Sequence, residues 1–73
     1  MEIEQNIDKI FLRNLRREIA KNRINIALMA DDIGMARATL YRYTKGKGLP
    51  TVENLLKISK YLGVSMEYLL TGE

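Results

Sequence analysis

Arg37, Ala38, Tyr41 and Arg42 have a spacing that gathers them on one side of a helix, and Lys45 and Lys47 follow just beyond. The chemistry these residues offer is recognition. An arginine can donate two hydrogen bonds to guanine O6 and N7, a contact that discriminates bases by about 1–3 kcal/mol. Ala38 and the Tyr41 ring suit a thymine methyl, while the lysines suit phosphates, which position a protein without reading sequence. Residues 33–52 hold Arg37, Arg42, Lys45 and Lys47 and no acid. The whole chain carries twelve Lys and Arg against nine Asp and Glu, a net charge of +3. The clustering, more than the total, points to an anionic partner.

Other chemistries find little to work with. There is no cysteine and no histidine, so no disulfide, no thiolate metal site and no nucleophile–base pair can be assembled. Glu18, Asp31, Asp32, Glu53 and Glu67 are scattered over different helix faces. Asp31 and Asp32 are adjacent, but with no third ligand nearby they read as a solvated helix end and not as a metal site. No catalytic residue, metal or cofactor is expected. The first ten residues, MEIEQNIDKI, are acidic and lack the apolar core of a signal peptide. No apolar stretch approaches the ~20 residues needed to span a bilayer, so the expected location is the cytoplasm, with no membrane partner.

Hydrophobic residues make up 47% of the 73, which favours one folded domain over residues 1–73, with a thin core. Ile7, Phe11, Leu15 and Ile19 recur every four residues, with Leu12 beside them, predicting a first helix from about Ile7 to Lys21. Asn6 is its expected N-cap, Asn22 its left-handed end, and residues 1–6 an N-terminal arm. Lys9, Arg13, Arg16 and Arg17 fall on the far side of this helix as a solvated row, and Ile10 lies off the apolar stripe, on the exposed side. Asn25 caps a short second helix that Gly34 stops, since glycine takes positive φ without a steric cost. A third helix runs from about Arg37 to Lys45. Pro50-Thr51 opens a fourth, whose stripe is Val52, Leu55, Leu56, Ile58 and Leu62. Ser65 caps a fifth with Met66, Tyr68, Leu69 and Leu70; Tyr61 and Tyr68 are expected to pack around these last two. No segment alternates with period two, so the class is all-α.

The second and third helices, joined by a glycine turn over about residues 25–46, have the arrangement of a helix-turn-helix. Ala30 is small where the helices must approach, and Ile33 and Leu40 are apolar where they must share a core. The outer side of the third helix then presents Arg37, Ala38, Tyr41 and Arg42 to a major groove. Tyr43 belongs to the core.

At this point the chain resembles the Cro/repressor (XRE, lambda-repressor-like) family of helix-turn-helix domains. The resemblance runs from about Phe11 to Leu70 through Leu15-Arg16, Met29-Ala30, Ile33-Gly34, Thr39-Leu40, Tyr43, Gly46-Lys47, Pro50-Thr51, Leu55-Leu56-Lys57-Ile58, Leu62-Gly63-Val64-Ser65 and Tyr68-Leu69-Leu70. It implies a five-helix domain with its third helix in the major groove. Arg37, Ala38 and Arg42 then face bases with Tyr41 on the rim, and Asn25, Ile26, Lys45 and Lys47 lie at phosphate positions. Three departures stand out. Ile26 replaces a frequent glutamine, leaving the Asn25 side chain and backbone N–H groups for phosphate. Ala36 replaces a frequent serine, a lost N-cap of about 1 kcal/mol. Ile19 and Thr44 together replace an arginine–glutamate pair, a swap that packing can offset.

These expectations combine into a sequence-specific binder of double-stranded DNA, a regulator of prophage or mobile-element repressor type. It would bind a pseudo-palindromic operator as a homodimer, with self-contact at Met66, Tyr68, Leu69 and Leu70. A protein antirepressor or toxin is a further partner. The alternative is an antitoxin-like interaction module on the same fold, using that same apolar end.

Overall fold

Three short-range signals set the ends of the elements. In the computed structural model, which describes residues 3–73 with side chains from Ile7 onward, the Asn25 side chain accepts the Leu28 N–H, Thr51 the Asn54 N–H and Ser65 the Tyr68 N–H. Each satisfies a donor that a helix start leaves without a partner. The helices are α1 (Ile3–Lys21), α2 (Ile26–Ile33), α3 (Arg37–Thr44), α4 (Val52–Leu62) and α5 (Met66–Thr71), and the three caps open α2, α4 and α5. Among the described residues there is no strand, and no helix is long and apolar enough to cross a membrane.

α1 starts earlier than its apolar stripe suggested. Residues 3–6 are helical, so Asn6 lies within the helix and not at its cap, and residues 1 and 2 of the expected arm lie outside the described residues. Glu4 and Gln5 are good helix formers, and no glycine or proline interrupts them. The far end also differs from expectation. Arg23, not Asn22, takes the left-handed conformation at φ 52°. The Ile24 N–H reaches the Ile19 carbonyl at 2.9 Å and the Arg23 N–H the Ala20 carbonyl at 3.2 Å, the paired closure of a Schellman turn. Asn22 is held elsewhere, its Nδ2 donating to the Glu18 carbonyl at 2.9 Å.

The core is Phe11 and Leu15 from α1, Met29 and Ala30 from α2, Met35 in the turn, Leu40 and Tyr43 from α3, Leu55 and Ile58 from α4, and Leu69 from α5. Fully burying one such aliphatic side chain contributes roughly 1.5–3 kcal/mol. α1 packs against α5 and α3, while α2 packs against α3 and α4. Polar contacts over long sequence distances tie α1 to α5. Asn14 Nδ2 donates to the Tyr68 carbonyl at 2.8 Å, and the Tyr68 hydroxyl donates to Glu18 Oε2 at 3.0 Å.

Several surface expectations change. Val52 is 77% exposed, and Leu56 and Tyr61 are exposed too. α4 turns Leu55, Ile58 and Ser59 inward, so only part of the expected stripe meets the core. Ile10 is half-buried instead of exposed. Of the expected self-contact residues at the C-terminal end, Leu69 is fully buried, while Met66, Tyr68 and Leu70 are half-buried and pack against the core.

Candidate nucleic-acid interface

α3 divides cleanly into two sides. Leu40, Tyr43 and Thr44 are buried, while Arg37, Ala38, Tyr41 and Arg42 are exposed. Tyr41 keeps 40% of its surface exposed, as the helix pattern implied. Tyr43, by contrast, lies edge-on to Phe11, with ring centroids 6.4 Å apart and planes at 79°, a favoured aromatic geometry. Its hydroxyl accepts a hydrogen bond from Asn54 Nδ2 at 3.1 Å, tying α3 to α4. The buried side therefore fixes the rotation of α3 and determines which residues it displays.

The turn before α3 is short and closed. Gly34 takes φ 70°, in the left-handed region, and the Met35 N–H bonds the Ala30 carbonyl at 2.9 Å. Ala36 gives α3 no side-chain cap, so the lost serine has no local substitute. At the other end, α3 is tied down heavily. The Arg42 carbonyl accepts from the N–H groups of Lys45 and Lys47, at 3.1 and 3.0 Å. Arg16 Nε donates to the Thr44 carbonyl at 2.8 Å. Cations beside these carbonyls also suit the negative end of the helix dipole. Gly46 sits at φ 75°, where an added Cβ would lie 2.9 Å from Leu12 Cδ2. Both the backbone angle and the space favour glycine there. Lys45 and Lys47 are thus presented from a turn fastened to the end of α3.

The positions expected at phosphates are not equivalent. Lys45 and Lys47 are exposed. Asn25 Oδ1 is committed to the Leu28 N–H at 3.0 Å, and the Ile26 side chain packs against the core. What remains at that end is the amide of Asn25 and the first N–H groups of α2, which have no intrahelical acceptor. The paired replacement at Ile19 and Thr44 also has a physical form here. Ile19 packs against the core, and the Thr44 hydroxyl donates to the Tyr41 carbonyl at 2.8 Å.

Two participants were not legible as such. Arg16 stands in the solvated basic row of α1 but reaches across to α3. Asp31, expected to be a solvated helix end, pairs with Arg37: Nε donates to Oδ1 at 3.0 Å and Nη2 to Oδ2 at 2.6 Å. The Arg37 hydrogen bonds hold the Asp31 carboxyl below its ordinary range, and Asp31 in turn raises Arg37. Opposite charges on the two sides of a glycine turn were the available signal. Among the described residues, no group of His, Cys, Asp and Glu could hold a metal ion.

The chain matches a family described as helix-turn-helix over residues 12–69. It is 43% identical over 58 residues to the cryptic phage CTXphi transcriptional repressor RstR of Vibrio cholerae, covering 80% of this chain and 49% of that one. With the uncharacterized HTH-type transcriptional regulator YqaE of Bacillus subtilis it shares 34% over 64 residues, 88% of this chain and 55% of that one. An SPbeta prophage-derived uncharacterized HTH-type regulator, YonR, also of Bacillus subtilis, is 43% identical over 44 residues, 60% of this chain and 41% of that one. The chain spans about half the length of the curated relatives it matches. No solved structure matches it.

Proposed function

Because this chain belongs to the helix-turn-helix family, we propose that it binds double-stranded DNA sequence-specifically and regulates transcription, as a repressor of the prophage or mobile-element type. The observation that carries this reading is the two-sided α3, its inner side locked by Leu40, Tyr43 and Thr44 and its outer side presenting Arg37, Ala38, Tyr41 and Arg42. A helix so held fits the major groove and addresses base edges from its exposed side. Lys45, Lys47, Asn25 and the backbone at Ile26 meet phosphates. A relative named as a phage transcriptional repressor supports the regulatory role. The protein acts by binding and not as an enzyme, and it does so in the cytoplasm.

Lys47 gives the direct test. Lys47→Ala weakens binding to every duplex alike and flattens the dependence of log K on log salt by about one unit, because one phosphate contact is lost. Titrations of specific and random duplexes over a salt series measure this. A loss confined to one sequence would contradict the phosphate assignment.

On a pseudo-palindromic operator two copies bind, about one helical turn apart. We place their contact at Val52 and Leu56, one turn apart at the start of α4 and exposed. This surface lies a few residues beyond the Lys45–Gly48 turn that ends α3. Val52→Glu is expected to lower affinity for the full site about tenfold, ~1.4 kcal/mol, and to leave half-site binding unchanged. Equal losses on full site and half-site would place the contact elsewhere. The antitoxin-like alternative would use the apolar C-terminal end, where Leu69 is buried and Met66, Tyr68 and Leu70 are half-buried.

A further inference from the structure

Asp31 and Arg37 carry charges at the wrong ends of their helices. Asp31 lies in the last turn of α2 and Arg37 is the first residue of α3. A helix dipole disfavours an acid near its C-terminus and a cation near its N-terminus. Neither helix gains from its own charge. The two side chains are nevertheless drawn together across the Gly34 turn through both Nε and Nη2. They remain 58% and 47% exposed for Arg37 and Asp31, and pairs that open to solvent contribute little to stability. Their pairing is better explained by what it does to Arg37.

A guanidinium bound through Nε and Nη2 still has its Nη1 group and the outer Nη2 hydrogen. That remaining edge can make the paired donation to guanine O6 and N7. The bound carboxylate also offsets the positive charge that would draw a loose arginine to the nearest phosphate. We propose that Asp31 is a specificity-determining positioning residue: it holds Arg37 by one edge so that the other reads a base, and withholds it from the phosphate backbone. This rests on the DNA-reading function proposed above.

The test uses the full chain and the duplex it selects from a random library, with every base pair of that site varied in turn. Wild type, Asp31→Asn, Asp31→Glu, Arg37→Ala and the Asp31→Asn/Arg37→Ala double variant are titrated over a salt series. Arg37→Ala identifies the base pair that Arg37 reads. At that pair Asp31→Asn is expected to reduce the preference for guanine by roughly tenfold, within the range of a bidentate contact. Random-duplex binding rises, and the salt slope steepens by about one unit as the released arginine meets a phosphate. Asp31→Glu retains most of the preference. In the Arg37→Ala background Asp31→Asn leaves the base profile unchanged. A merely structural role for Asp31 would weaken all sequences together, and that result overturns the proposal. So does an Asp31→Asn preference equal to that of wild type. Those failures leave the DNA-reading function standing, whereas a wild type that selects no site overturns both.

Discussion

Phe11→Ala is expected to lower the free energy of unfolding by about 3–5 kcal/mol, the usual cost of emptying a large aromatic site. Phe11 is 1% exposed and belongs to a core that, among the described residues, draws on all five helices and the turn after α2. A small domain holds only about 5–15 kcal/mol in total, and a chain of this length has little in reserve. The substitution also removes the ring against which Tyr43 stands edge-on, so the damage reaches α3 directly. Denaturant unfolding of wild type and variant measures the loss. Phe11→Leu, which keeps most of the volume, should lose much less. A cost below about 1 kcal/mol for alanine would mean that the α1–α3 contact is not a principal support of the fold.

Arg42→Ala has the second largest expected effect, and it appears in binding instead of stability. Arg42 is exposed on the outer side of α3, and its carbonyl serves the fold, accepting from Lys45 and Lys47. Alanine keeps that carbonyl, so the melting temperature should hardly move. Affinity for the selected duplex falls by about 1–3 kcal/mol, with relaxed preference at one base pair. Competition titrations against single-base variants of the site measure both quantities. Loss shared equally by all sequences would make Arg42 a phosphate contact and return base reading to its neighbours.

How much could be read from the sequence followed the range of each interaction. Asn25, Thr51 and Ser65 were legible as caps because a cap and the N–H it accepts lie three residues apart. Gly34 and Leu40 were legible for similar reasons, one through its backbone freedom and one through the periodicity of its helix. The outer side of α3 followed once its inner side was known. Val52 misled because periodicity identifies a face and not how far the neighbouring helices extend along it. Asn6 misled because capping residues also occur inside helices that begin sooner. The Glu18–Tyr68 contact joins residues fifty apart in sequence, and no local pattern announces it. The Asp31–Arg37 pair depends on how steeply α2 and α3 cross, a property of the packed turn.

The most direct measurement is a selection of bound duplexes from a random DNA library with the full chain, repeated at two salt concentrations. The proposed function predicts enrichment of a two-fold-symmetric site with a guanine in each half, and the same site at both salt concentrations although binding weakens at the higher one. Binding that disappears with added salt and enriches no sequence would show only phosphate attraction, and would contradict sequence-specific reading by α3.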